Sequence, residues 1–472
     1  MVIFKYFIFL IIIKLSKTQK KKTKYRCGAD TLLYNDIIEI YLNPVDKNNP
    51  LHKRRLKEID KDGFKKFNIY MDMTNIKKDI ELYHLEQYEN LFINSINKAI
   101  ETLENLLKVK SVELNFNVQD EEIKEYMEID YWDKEKFGTE ALEKGITLFS
   151  LDIDLLIFGK FEDNQEEGIL ASAMPLLIDT STGQPFVGIV FINKNIDYLY
   201  NNLQEYLQSI FLHEFTHILG FNDYTFEQNN FLLKNNGFYY ITSEKVIEQA
   251  KKYFNCSDIY GVALEDYGGN GTVGSHWEAR ILLGEYMNGY IYPEEQVVSQ
   301  FTLAVLEDLG YYKANYYTGG LMRYGKNKGC NFITEKCVNS SHQIDPYFEN
   351  EFFDSIHSDY DIDNSCSSGR QSRTYNIFWK RTVIDNPHYF NDPDIGGNPA
   401  ADFCPVAESY PDETYYNLYV GHCSKGSGEY GTFIKGMISS YKTSEEMKLI
   451  TGETYSDHSF CYLSSLDLLY LK

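Results

Sequence analysis

The sequence predicts an α+β protein: an N-terminal lobe built on a mixed sheet and one long helix, then a central lobe, then a disulfide-rich C-terminal lobe. Three observations carry this reading. Strand-like runs recur between Phe67 and Ile192, and two of them, FNIYMDM and VELNFNV, carry the period-two alternation of strands. Leu199, Leu203, Leu207, Ile210 and Ile218 fall at spacings that line one face of a helix over 195–219, and Gly220 can close it in a left-handed turn. Six of the eight cysteines lie after residue 329. At 472 residues the chain is too long for one small core, so two or three packed lobes are expected.

Taken in order, the chain begins MVIFKYFIFLIIIKL, where Lys5 precedes an apolar run from Tyr6 to Ile13. Residues 1–16 read as a signal peptide, since the run is shorter than the roughly 20 residues a membrane span needs. No small-x-small cleavage site is evident, so an uncleaved N-terminal segment is the competing reading and the one route to membrane association. Residues 17–60 are Lys-rich and little patterned. They read as a pro-segment with a processing site at Lys53, Arg54 and Arg55, or as a solvated basic linker.

The N-terminal lobe is assigned to 61–220. FNIYMDM from Phe67 alternates like a strand, 82–107 has helical spacing, and VELNFNV alternates again. LDIDLLIF from Leu151, GILASAMPLLI from Gly168 and FVGIVFI from Phe186 add strands, the last two joined by the turn-rich DTSTGQP. The central lobe is assigned to 221–310. Its first part, 221–275, is rich in Tyr, Asn and Gly without strong periodicity and reads as a surface excursion, and 293–309 reads as a helix closed by Gly310. The C-terminal lobe, 311–472, holds most cysteines, so disulfides are expected there while the central part relies on packing. Cysteines and an export signal together place the protein outside the cell or on its surface, where sequons at Asn255, Asn270 and Asn339 are compatible with glycosylation.

Composition narrows the partners. With 43% hydrophobic and 15% aromatic residues the chain is that of a folded protein. A net charge of -23 repels phosphate backbones, and no basic aromatic groove is evident, so nucleic acid is not an expected partner.

The chemistry sits at the end of the long helix. His213-Glu214-Phe215-Thr216-His217 is an HExxH motif. Residues four apart emerge on one helix face, about 6 Å apart along the axis, so both imidazoles can share one tetrahedral zinc. Glu214 falls beside the metal, where it can act as general base on a bound water. A catalytic zinc needs a third protein ligand, and two residues compete for the role. Asp223 stands where the compact HExxHxxGxxH pattern of metzincins has its third histidine, reached through the sharp turn at Gly220. His276, in GSHWEARILLGEYMNG, lies 59 residues past His217, with Met287 and Gly289 shortly after it.

On these residues the chain resembles the leishmanolysin family of metzincins, in which an insertion separates HExxHxxGF from the third histidine. The matching stretches are His213 to Phe221, His276-Trp277-Glu278 and Met287, followed by FTLAVLEDLGYYKANY, GCNFITEKC and ADFCP. The resemblance implies a metzincin-type zinc peptidase with the active-site helix in the N-terminal lobe and an inserted third ligand, His276, in the central lobe. It implies one Zn2+ per chain held by His213, His217 and His276, Glu214 as catalytic base, and Met287 in a turn that floors the site. Leu170, Ala171, Ser172 and Ala173 resemble the metzincin edge strand that pairs with an extended substrate, a use to which an open sheet edge is chemically suited. An ordinary sheet strand is the alternative. Cys27, in the pro-segment, could keep a zymogen silent by ligating zinc, although removing it from eight cysteines strands one thiol. The implied activity is a secreted endopeptidase, a monomer acting on proteins or peptides. The competing functions are a catalytically inactive protein of cell adhesion that keeps the fold, and an aminopeptidase with a downstream Glu ligand. The seven other histidines, His52, His84 and His422 among them, are read as surface or structural residues.

Overall fold

Short apolar or alternating runs become strands and longer runs with helical period become helices through most of the first half of the chain. In a computed structural model, the described residues are 59–110, 153–162, 169–194, 203–235, 237–266, 272–290, 296–316 and 322–339. Shorter pieces between 344 and 409, and the backbone alone of a few short strands and of the first helical turn at 203–206, complete them. The signal peptide 1–16, nearly all of the pro-segment, Cys27, the basic cluster at 53–55 and Asn270 lie outside the described residues.

A five-stranded sheet forms the first layer. Its strands are β1 (Ile38–Ile40), β3 (Ile69–Asp72), β5 (Leu155–Glu162), β6 (Ala171–Asp179) and β7 (Pro185–Asn193), in the spatial order β1-β6-β7-β5-β3. β3, β5 and β7 run parallel, whereas β6 is antiparallel to β7 and parallel to β1, which makes the sheet mixed as expected. β4 (Leu107–Lys110) pairs with β2 (Phe64–Lys66) on one side and β11 (Tyr312–Ala314) on the other in a second, antiparallel sheet. The β6–β7 turn is tied by Asp179, whose carboxylate accepts from the hydroxyls of Ser181 and Thr182, and Gly183 supplies a positive φ.

The helix expected over 82–107 is observed from 89 to 106, and a second helix that the sequence pattern did not mark precedes it. α1 (Thr74–Leu82) stops before His84, which takes a left-handed φ of 58°, and α2 (Glu89–Leu106) restarts the helix. On α2, Phe92, Ile96, Ala99, Leu103 and Leu106 form one buried stripe facing α3 (Leu203–Ile218). α3 also packs on β6 and β7. Gly188 of β7 makes the close approach: a Cβ there would overlap the Ile218 side chain. The helix ends as expected, with Gly220 at φ 113° and the Phe221 amide bonded back to the Thr216 carbonyl.

The surface excursion expected over 221–275 is not observed. The segment holds α4 (Asp223–Gln228), a hairpin of β8 (Leu232–Asn235) and β9 (Phe238–Ile241), α5 (Glu244–Phe254) and β10 (Val262–Ala263). Val246, Ala250, Tyr253 and Phe254 are spaced to bury one face of α5 against α7 (Gln300–Asp308). α7 starts later than the sequence pattern suggested, because Ser299 caps it by accepting from the Phe301 amide. The central part is also stapled, contrary to expectation. Cys256 at the end of α5 is joined to Cys330, and a second disulfide joins Cys337 to Cys404. Among the described residues no helix is long and apolar enough to cross a membrane.

The Gly188 contact predicts a stability effect. Gly188→Ala should destabilise the chain by about 1–3 kcal/mol, the usual cost of overpacking, because neither strand nor helix can retreat without moving the sheet. Thermal unfolding checks it. An unchanged midpoint would mean that the helix is not held at this distance by Gly188.

Candidate metal centre

The last turns of α3 carry His213, Glu214 and His217 into the interior, with exposures of 7%, 2% and 0%. Their spacing puts both imidazoles on one face. The third imidazole arrives on the loop before α6 (Ala279–Leu282). Around it the Glu265 amide donates to the His276 carbonyl, the Trp277 amide to the Met287 carbonyl and the Glu278 amide to the Ala263 carbonyl. The Asn288 side-chain amide also donates to the Trp277 carbonyl. The loop is thereby sewn between β10 and the turn at 286–289, and His276 is wholly buried.

Each ring uses one nitrogen in the same way. Nδ1 of His213 lies 2.6 Å from the Tyr286 carbonyl, Nδ1 of His217 lies 2.6 Å from the Phe221 carbonyl, and Nδ1 of His276 lies 2.9 Å from the Thr272 carbonyl. A carbonyl oxygen can only accept, so every Nδ1 carries the proton. The rings are also neutral. Burial pushes the His213 imidazole down to about 4 and that of His276 to about 3, and burial together with the neighbouring rings holds His217 well below the ordinary value.

The three Nε2 atoms are therefore unprotonated, and they face one another. Their separations are 3.0 Å for His213 to His217, 3.1 Å for His213 to His276 and 3.2 Å for His217 to His276. None of these contacts is a hydrogen bond, because no proton is available to make one. Tetrahedral zinc, with bonds of about 2.0–2.1 Å, wants its nitrogens about 3.3 Å apart, so the donor set fits such an ion and leaves its fourth position open. Imidazole also suits copper, iron and nickel. What the arrangement offers is a buried metal site with an adjacent carboxylate, Glu214.

The two candidates for the third position are separated by the path of the chain. After Gly220, Asn222 caps α4 by accepting from the Thr225 amide and donates its own side-chain amide to the His217 carbonyl. Asp223 is thereby committed to the first turn of α4, half-buried, its carboxylate accepting from the Tyr224 amide. It is not among the ligand atoms that converge, whereas His276 is. A second group of ligand atoms, from Glu265, Asp266 and Glu278, flanks the His276 loop. Burial pushes the Asp266 carboxyl up to about 6, with Asp402 adding to the shift, and Arg280 meets Asp402 at 3.3 Å.

Met287 is completely buried in the turn that supplies the Tyr286 carbonyl. Gly289 permits that turn to pass the site, since a Cβ there would lie 2.9 Å from the Thr272 Cγ2 and 3.4 Å from the His276 Cγ. Leu170 to Ala173 lie at the start of β6, where Ala171, Ser172 and Ala173 pair with Ile192, Phe191 and Val190 of β7. Among the described residues β1 covers the opposite edge of β6 only over Leu177–Asp179. Several partners of the histidines had no sequence signal. The carbonyls of Phe221, Thr272 and Tyr286 are backbone groups, and the Tyr286 hydroxyl donates to Thr216 Oγ1, whose own proton goes to the Leu212 carbonyl. Glu285, buried beside the turn, was legible only as one more acidic residue.

Comparison with known proteins gives the family. A family model described as leishmanolysin matches residues 77–467. A leishmanolysin homolog of Crithidia fasciculata is 31% identical over 57% of this chain and 39% of its own length. Leishmanolysin of Leishmania major is 28% identical over 76% of this chain and 54% of its own length. A leishmanolysin-like peptidase of Drosophila melanogaster is 41% identical over a shorter stretch, 21% of this chain and 14% of its own length. The chain thus spans about half or less of the length of these relatives.

The converging nitrogens make a direct prediction for metal binding. His276→Ala should weaken binding of a divalent transition metal by more than about 100-fold, since losing a ligand exceeds the loss from removing an outer partner. Asp223→Ala should leave binding within about twofold of the parent. Competition against a chromophoric chelator reads both, and the reverse order would return the third position to Asp223.

Proposed function

We propose that this chain, which belongs to the leishmanolysin family, is a zinc-dependent endopeptidase with Glu214 as its general base. The observation that carries the proposal is the convergence of three unprotonated Nε2 atoms in a buried pocket beside a carboxylate on the same helix. His213, His217 and His276 would hold one zinc ion per chain. A zinc ion held there supplies Lewis acidity, polarising a peptide carbonyl and lowering the pKa of water toward about 7.

The residues of the chain divide the remaining work. His213, His217 and His276 present neutral nitrogen alone, so no anionic ligand offsets the charge of the ion. Glu214 takes a proton from the attacking water and returns it to the departing amine, which balances the hydrolysis of one peptide bond. Burial of the site limits competing solvent and strengthens every charge inside it. Met287 floors the pocket with a soft apolar side chain. The start of β6, from Leu170 to Ala173, offers backbone groups that would align an extended protein or peptide substrate, and an extended backbone is what an endopeptidase must hold.

Other parts of the reading rest on sequence. The apolar N-terminal segment would direct the chain into the secretory pathway, to the exterior or the cell surface, and the two disulfides of the described residues suit that compartment. Cys27 would be a zymogen switch that ligates the metal in the unprocessed chain. The active form is taken as a monomer.

Glu214→Gln tests the central step. Hydrolysis of denatured casein should fall by about 10²–10⁴-fold, the range for a positioned general base, while zinc content stays at that of the parent. Equal cleavage by parent and variant would sink the peptidase reading and favour an inactive adhesion protein.

A further inference from the structure

We infer that Glu285 is a positioning residue for the metal centre: its buried carboxylate, acting through a single peptide group, orients His213 and strengthens it as a ligand. The inference rests on the zinc-site reading above. It does not depend on which substrate is cleaved.

The geometry centres on the peptide between Tyr286 and Met287. Its carbonyl accepts from His213 Nδ1 at 2.6 Å, and its N–H donates to Glu285 Oε2. Carbonyl and N–H belong to one planar, conjugated unit, so what is bound at one end alters the other. A carboxylate on the N–H draws the proton toward itself and leaves the carbonyl oxygen more negative. That oxygen then holds the His213 Nδ1 proton more tightly, and Nε2 becomes more basic. The result is the carboxylate–histidine–metal arrangement with one peptide group inserted.

The state of Glu285 follows from its neighbours. Oε1 receives Ser299 Oγ at 2.8 Å, Thr302 Oγ1 at 2.6 Å and the Ser299 amide at 3.3 Å. Ser299 Oγ already accepts from the Phe301 amide, and Thr302 Oγ1 from the Trp277 indole at 2.8 Å, so both hydroxyl protons are free to point at Glu285. The Met287 and Ser299 amides and the two hydroxyls can all donate to it at once, which suits an ionised carboxylate. Burial works against that charge, pushing the group up to about 7 while the donors pull it down. A turn could be pinned by a neutral amide at less cost than a wholly buried carboxylate. The charge itself is therefore the feature that asks for a role, and the peptide it touches leads to a ligand.

Glu285→Gln in the full chain separates charge from shape. The amide oxygen can still accept from the Met287 N–H, and the side chain keeps its volume. The zinc dissociation constant, measured by chelator competition, should rise about tenfold while the thermal midpoint of the zinc-free protein stays near that of the parent. An unchanged dissociation constant overturns the inference. If the parent binds zinc but does not cleave casein, the endopeptidase reading fails and the affinity ratio still decides the role of Glu285. If the parent binds no zinc, both fall. A measurement on the unaltered chain covers the case of a variant that does not fold: in the zinc-free protein the His213 Nδ1 proton should resonate downfield of those of His217 and His276. A His213 proton upfield of either would overturn the inference equally.

Discussion

Three lone pairs pointed at one another inside a protein repel unless a cation lies among them, and much of the central region exists to impose that arrangement. Each imidazole is kept neutral by burial and turned by a carbonyl that can accept only from Nδ1. The three carbonyls come from three separate backbone events. Phe221 follows the left-handed turn at Gly220, Thr272 opens the loop that carries His276, and Tyr286 belongs to the turn containing Met287. None can move far without rotating a ring and spoiling the convergence.

The surrounding layers fix those events in place. α3 is seated on the sheet through the gap left by Gly188 and against α2 through the stripe around Ala99 and Leu103. α5 and α7 wall the central segment, and the Cys256–Cys330 disulfide ties the end of α5 to α8 (Cys330–Thr334). Glu285 connects the start of α7 to the turn beside the ligands. Through Ser299 and Thr302 it holds the start of α7, through Thr302 it reaches the Trp277 indole, and through the Met287 amide it holds the turn that orients His213. Packing thus reaches the ligands through a short chain of polar contacts.

How much of this was legible depended on whether the determining interaction was local. The HExxH spacing, the helical face of α3 and the stop at Gly220 are properties of neighbouring residues, and they were read correctly. The long partner of that helix, α2, was read correctly except that it starts later, after a left-handed His84, a conformation with no strong sequence signal outside glycine. α5 was missed because its buried face is half aromatic, and Tyr253 and Phe254 looked like part of a Tyr-rich surface. Asp223 and His276 could not be separated by spacing alone; family resemblance favoured His276, and the capping of α4 by Asn222 explains why Asp223 stays behind. The carbonyls that orient the rings, and the link from Glu285 to His213, run through backbone groups that every sequence contains.

The most direct test of the account is where zinc lies. Crystals of the chain grown with zinc and measured on both sides of its absorption edge should show one anomalous peak inside the described fold, about 2.0–2.1 Å from Nε2 of His213, His217 and His276 alike. A peak among the carboxylates of Glu265, Asp266 and Glu278 instead, or one bound to His213 and His217 but not His276, would contradict it.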